Sequence, residues 1–193
     1  MSFLPDEYES PVMTGGYLKI KDKETVKVRI LGSYQAGLVN PQAVMGWEVW
    51  NVENKPVRRP FIPKDLTGHD ELIPISKSPK DKPRFFWCFV VWDEIAEEIL
   101  IWAITQKSIQ SKITEYANNK SWGAPSNYVL SITRTGSGME TDYSVIAEPP
   151  ILEPDARVME AWADAQIDLR VLFTGDNPFG ALRDSEDDKD MPF

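Results

Sequence analysis

The sequence predicts a mainly β protein whose core is a five-stranded Greek-key barrel with one helix between the third and fourth strands. Three observations predict it. Several short segments alternate apolar and polar residues with the two-residue period of a strand, one internal segment changes to helical spacing, and glycines separate the last two strands. With 193 residues, 42% hydrophobic and 11% aromatic, the chain is long enough for one well-packed domain.

Two strands are expected first, over residues 16–31, where valine and isoleucine alternate with Lys27 and Arg29. The next segment, AVMGWEVWNVENKPVRRPF (43–61), predicts a short aromatic strand, an Asn-rich turn and a basic segment. Residues 60–83 contain five prolines and predict a long extended loop. Loops of that length in a compact domain are usually functional.

A hairpin of two long strands is expected over residues 83–105. Both faces of its first strand are apolar, so one face should be core and the other covered. Residues 106–120 have helical spacing, and residues 127–148 predict a second hairpin around Gly136, Ser137 and Gly138. Several strands, one helix and two strands are the element order of the OB-fold.

The C-terminal part of the chain is expected to differ from the barrel domain, which we assign to residues 1–150. Residues 151–173 predict a second helix that packs on the barrel through an apolar stripe including Val158 and Trp162. Residues 174–193 have no periodicity and end in DSEDDKDMPF, which predicts a disordered acidic tail.

The charge of the chain is unevenly distributed. The net charge is −9, but residues 151–193 hold 11 acids and 4 bases, whereas residues 1–150 are nearly neutral. Within that body, residues 55–84 hold 8 bases against 4 acids. Since a polyanion responds to the local field within a Debye length of ~8 Å, the negative total does not exclude a nucleic-acid partner.

Little in the composition indicates catalysis, export or membrane insertion. Cys88 lies alone in an apolar strand and should be a buried hydrophobe in a reducing cytosol, and His69 lies in a polar loop. No P-loop motif or His/Cys zinc pattern is present, so no cofactor is expected. No apolar run approaches ~18 residues, and the acidic N-terminus does not resemble a secretory signal.

Four stretches resemble phage-type single-stranded DNA-binding proteins, which have one OB-fold and an acidic C-terminal tail. These stretches are GYLKIKDKETVKVRIL, GWEVWNVENKPVRRPF, QKSIQSKITEY with SWGAPSNYVLSITRTGSGMETDYSV, and the DSEDDKDMPF end. The resemblance implies sequence-independent binding of single-stranded DNA in phage replication or recombination, in the cytoplasm of an infected bacterium. It also implies that the tail recruits partner proteins, with possible self-association along DNA.

Binding a single strand without sequence preference needs cations along the backbone and flat rings for the bases. Three groups of residues have that composition, and their alternative roles are core packing, solvated charge or a simple turn. The predicted DNA-binding residues are Trp47, Trp50, Lys55, Arg58, Arg59 and Phe61; Lys77, Lys80, Lys82 and Arg84; and Arg134 with Tyr143.

The end of the tail combines acids with a terminal aromatic residue. A solubility tail needs acids but no Phe193, so two further roles are expected. The tail can occupy the cationic groove when DNA is absent, or Phe193 can fill a partner's pocket while its carboxylate meets a cation there. The predicted partner-binding residues are Asp187, Asp188, Asp190, Met191, Pro192 and Phe193.

Two other function classes stay open at this point. A phage structural adaptor or an acidic DNA mimic would suit the pI of about 4.7, although a mimic should spread acids over its folded surface. A metal-dependent nuclease would use paired acids to bind Mg²⁺. The candidate pairs are Asp93 with Glu94, Glu97 with Glu98, and Asp187 with Asp188.

Overall fold

A computed structural model describes residues 14–32, 43–50, 56–60, 83–151 and 154–179. These residues form eight strands and two α-helices in one mainly β unit. The elements are β1 (Thr14–Tyr17), β2 (Thr25–Ile30), β3 (Ala43–Trp50), β4 (Pro56–Arg59), β5 (Arg84–Asp93), β6 (Glu98–Ile104), α1 (Lys107–Asn118), β7 (Val129–Thr135), β8 (Asp142–Ala147) and α2 (Ala156–Ala165). Short 3₁₀ turns span Pro125–Asn127, Gly138–Glu140 and Leu169–Phe173.

All eight strands belong to one curled open sheet, and β5 lies at its centre. The ten residues of β5 pair antiparallel with three strands: β6 along most of its length, β3 over Phe85–Phe89 and beyond, and β2 over Val91–Asp93. From β2 the sheet continues to β7 and β8, while β4 forms a hairpin with β3. The predicted strand pairs and the helix between β6 and β7 are therefore present.

The expected closed five-stranded barrel is not confirmed. Among the described residues, β6 and β8 do not pair, and β1 occupies the edge of β6 where such a pair would close the sheet. Thr14 and Tyr17 are in parallel register with Ile99 and Ile101, and the Leu18 amide donates to the Ile101 carbonyl at 2.8 Å. An edge whose backbone groups are already bonded cannot accept another strand, so the sheet stays open.

Each face of the sheet has its own core, as the two apolar faces of β5 predict. The inner face carries Val28, Phe89 and Leu130 and is closed by Ile109 and Ile113 of α1. The outer face carries Phe86, Cys88 and Ile101 and is covered by α2 and the following 3₁₀ turn, which contribute Val158, Leu169 and Leu172. Burial of Cys88 raises the pKa of its thiol to about 12, which makes it unreactive.

Residues 154–179 form a C-terminal strap across the outer face. The Asp155 carboxylate caps α2 by accepting from the Arg157 amide at 2.9 Å, and Asp168 caps the 3₁₀ turn in the same way at 3.0 Å. The packed chain extends beyond the predicted boundary at residue 173, because Pro178 is buried and Phe179 lies edge-on to Tyr17 with ring centroids 5.7 Å apart. These contacts hold the strap against β1.

Candidate nucleic-acid interface

An exposed ring, Phe85, and a half-buried ring, Trp47, lie together where β3 and β5 meet at the margin of the sheet. Trp47 is directly opposite Phe85 in the antiparallel register, and their ring centroids are 5.6 Å apart at an interplanar angle of 62°. Phe85 is 40% exposed, which is unusual for a phenylalanine in a strand. A solvent-facing ring on a regular strand is the kind of platform on which a nucleobase stacks.

The position of Phe85 is held by a buried glutamine. The Gln110 side-chain amide donates to the Phe85 carbonyl at 3.1 Å and to the Ile104 carbonyl at 2.9 Å. These bonds join the start of β5, the end of β6 and the first turns of α1. The backbone that carries the Phe85 ring is therefore hydrogen-bonded at a junction of three regular elements.

Two arginines lie next to the rings in the sheet register. Arg84 is exposed and begins β5 immediately before Phe85. Arg59 is opposite Trp47 in the β3–β4 register, and its guanidinium donates to the carbonyls of Arg58 and Phe173 at 2.8 and 3.1 Å. We call Trp47, Arg59, Arg84 and Phe85 the aromatic–cationic edge, since the hairpin register and the β5 start place them together.

Arg58 lies on the other face of the hairpin from Arg59. Its guanidinium is 2.8 Å from the Glu48 carboxylate, with side chains only 12% and 7% exposed, and it lies 5.2 Å from the centre of the Phe86 ring. Burial alone would lower the pKa of Arg58, but the facing Glu48 carboxylate outweighs it and the pKa is raised. The structure therefore gives Arg58 a buried partner beneath the strap and keeps it away from the aromatic–cationic edge.

Arg134 and Tyr143 are opposite each other in the β7–β8 hairpin. The Arg134 guanidinium donates to the Ile20 carbonyl at 2.8 Å, and its Nε is buried with no partner among the described atoms. Gly136 has φ +80°, and a Cβ there would lie 2.3 Å from the Glu140 carbonyl oxygen. The glycine is thus required by the turn, and Arg134 joins that turn to the segment before β2.

Several predicted site residues lie outside the described residues, and their roles stay predictions. The side chain of Trp50 is also outside them, although its backbone pairs with Pro56. The others are Lys55, Phe61, Lys77, Lys80 and Lys82, together with Asp187, Asp188, Asp190, Met191, Pro192 and Phe193 of the tail.

Sequence reasoning missed the exposure of Phe85 and the burial of Glu48. Both lie in strands whose alternation predicts two faces, but alternation does not say which face is covered near the end of a strand. The available signal was positional: Phe85 is the second residue of β5, where the sheet meets solvent.

The described segments show neither a metal cluster nor a membrane span. In them, no three His, Cys, Asp or Glu side chains gather closely enough to hold a metal ion. Neither α-helix of the described chain combines the length and apolarity needed to cross a bilayer. Comparisons with protein-family models, with curated proteins and with solved structures found no significant match to this chain.

Proposed function

We propose that this protein binds single-stranded DNA without sequence preference. The observation that carries the proposal is Phe85: a 40% exposed ring, edge-on to Trp47 and next to the exposed Arg84. Rings supply stacking worth ~1–3 kcal/mol per base, and cations supply salt-dependent phosphate contacts. A few such groups suffice, so a positive total charge is not required.

The strand order supports an OB-like core for this activity. The path β6-β5-β2-β7-β8 is the order 3-2-1-4-5 of an OB-fold, with α1 after the third of these strands. On this assignment β3 and β4 belong to the connection between the first and second barrel strands, and Gly136 lies between the fourth and fifth. Those two connections bind oligonucleotides in OB-folds. The first contributes Trp47 and Arg59 to the aromatic–cationic edge, and Arg84 and Phe85 begin the strand that follows it.

The strap directs the proposed DNA path toward this edge. It covers the outer face of β5 and β6, where Phe173 packs on Phe86 with ring centroids 6.0 Å apart. DNA would therefore run along the β3–β4 hairpin and the start of β5. We further propose roles in phage replication or recombination, with the acidic tail competing for this path and recruiting partner proteins when DNA displaces it.

Substitution of the exposed ring tests the proposal directly. Phe85→Leu keeps an apolar side chain of similar size but removes the flat surface, so oligo(dT) affinity should fall by ~1–3 kcal/mol. Phe85→Trp should restore it, because a larger ring still stacks. Equal affinity of wild type and Phe85→Leu would remove the main support for the proposal.

A further inference from the structure

Phe85 belongs to a row of residues that crosses the strands of the sheet. In the β3–β4 register Arg59 is opposite Trp47, and in the β3–β5 register Trp47 is opposite Phe85. The β5–β6 register, continued two residues past the end of β6, brings Gln106 beside Phe85. Since neighbouring strands lie ~4.8 Å apart, the row from Arg59 to Gln106 is ~14 Å long.

The surfaces around this row restrict the direction of a strand bound on Phe85. Farther along the same face of β5, Trp87 packs against the inner core and Phe89 is only 5% exposed, where α1 closes that face. The strap covers the other face of β5. Within the described part of the chain, the uncovered direction across Phe85 is therefore the row itself, which leads from Arg59 to the start of α1.

The start of α1 places a lysine at the end of this row. Gln110 ties the helix to the row, because its side-chain amide donates to the Phe85 carbonyl at 3.1 Å. Lys107, the first residue of α1, is three residues earlier and so lies on the same side of the helix. Helical side chains also tilt toward the N-terminus of their helix. Lys107 is therefore on the side of α1 that adjoins Phe85, one turn nearer to the margin of the sheet than Gln110.

Lys107 is also available to a ligand. Its side chain is exposed, and it forms no ion pair with any of the described residues. The first turn of α1 contains no acidic residue that would compete with a phosphate. By contrast, the ammonium of Lys112, farther along the helix, is 2.9 Å from the Glu115 carboxylate.

We infer that single-stranded DNA crosses the sheet along this row and that Lys107 contacts a phosphate at its end; this inference rests on the proposed function. A base stacks on Phe85 while the backbone passes from Arg59 to Lys107. Because the two cations lie at opposite ends of a row ~14 Å long, they contact different phosphates. Each contact then contributes separately to the salt dependence of binding.

Salt titrations of oligo(dT) binding test the inference. Lys107→Ala should reduce the slope of log affinity against log salt by ~0.7, the value for one contact to a single strand. Lys120→Ala is the matched control, because Lys120 is exposed and follows the other end of the same helix. It removes the same charge and should keep the slope of wild type. Lys107→Arg should also keep that slope, since the cation is retained.

Crosslinking gives a second measurement that does not depend on charge. The only cysteine of the chain, Cys88, is buried and unreactive. Lys107→Cys and Lys120→Cys therefore each add one reactive thiol that can carry a photocrosslinking reagent. On illumination with bound oligo(dT), Lys107→Cys should give a much higher yield of the covalent adduct than Lys120→Cys.

Two results would overturn the inference. One is a salt slope for Lys107→Ala that equals the slope of wild type, and the other is an equal adduct yield from the two cysteine variants. In either case Phe85→Leu would still weaken binding if the proposed function holds. A wild-type protein that binds no oligonucleotide would overturn the proposed function and the inference together.

Discussion

At the scale of single residues, Arg84 is the described cation most clearly placed for a phosphate. It is exposed and adjacent to Phe85. Arg84→Ala should reduce the slope of log affinity against log salt by ~0.7, the value for one contact to single-stranded DNA. Lys27→Ala is the control, because Lys27 is 2.7 Å from Glu148, away from this edge. Identical salt slopes in wild type and Arg84→Ala would place Arg84 outside the DNA path.

The Glu48–Arg58 pair makes a separate prediction about stability. Glu48→Ala leaves the guanidinium buried without its carboxylate, so the free energy of unfolding should fall by ~3–5 kcal/mol in urea titrations. The double substitution Glu48→Leu with Arg58→Met should recover most of that loss, since neither charge is then buried. A fully stable Glu48→Ala variant would show that Arg58 does not depend on this pair.

The same double variant separates packing from binding. Because Arg58 lies beneath the strap, a folded Glu48→Leu, Arg58→Met protein should bind oligo(dT) like wild type. An affinity loss that disappears at high salt would instead indicate that Arg58 contacts a phosphate. Sequence alone could not distinguish these roles, since Glu48 and Arg58 become neighbours only through the β3–β4 register.

At the scale of elements, the sequence predicts most strands and both helices. It also predicts a closed barrel, whereas the observed sheet is open. The alternation in β2 and the two apolar faces of β5 are local patterns with the two-residue period of a strand, so they can be read from the sequence. The pairing of β1 with β6 is parallel and joins residues more than 80 positions apart. No turn sequence between the two strands therefore indicates the pairing. The end of the strap at Phe179 likewise depends on a contact with Tyr17, a residue far away in the sequence.

The stabilising effect of the strap should decrease at acidic pH, because it depends on the charge of Asp168. Hydrogen bonding from Arg170 lowers the pKa of the Asp168 carboxyl, so its stabilising effect is present above the unfolded pKa of ~3.9 and is lost as pH falls through the folded value. Asp168→Ala should lower the free energy of unfolding by ~0.5–2 kcal/mol at pH 7. The difference in free energy of unfolding between wild type and Asp168→Ala should narrow below pH ~3.9 in paired denaturation curves. A constant difference at all pH values would contradict this role of the Asp168 charge.

At the scale of the whole molecule, the charge distribution predicts a tail that competes with DNA. The last ten residues contain five acids, one lysine and a terminal phenylalanine. Truncation after Arg183 should raise oligo(dT) affinity at low salt, and the gain should diminish as salt screens the competition. Replacement of the five acids by Ser and Asn, with Phe193 kept, distinguishes charge from the aromatic tip. Unchanged or weaker binding by the truncated chain would argue against competition.

The aromatic–cationic edge on a curled sheet is the central claim, and an equilibrium titration tests it most directly. Oligo(dT) is added to the protein at two salt concentrations while emission from its seven tryptophans is followed. Stacking near Trp47 should quench the emission, the affinity should fall as salt rises, and Phe85→Leu should bind more weakly at both concentrations. Emission that does not respond to oligo(dT) at low salt, with no binding by an independent method, would contradict the claim.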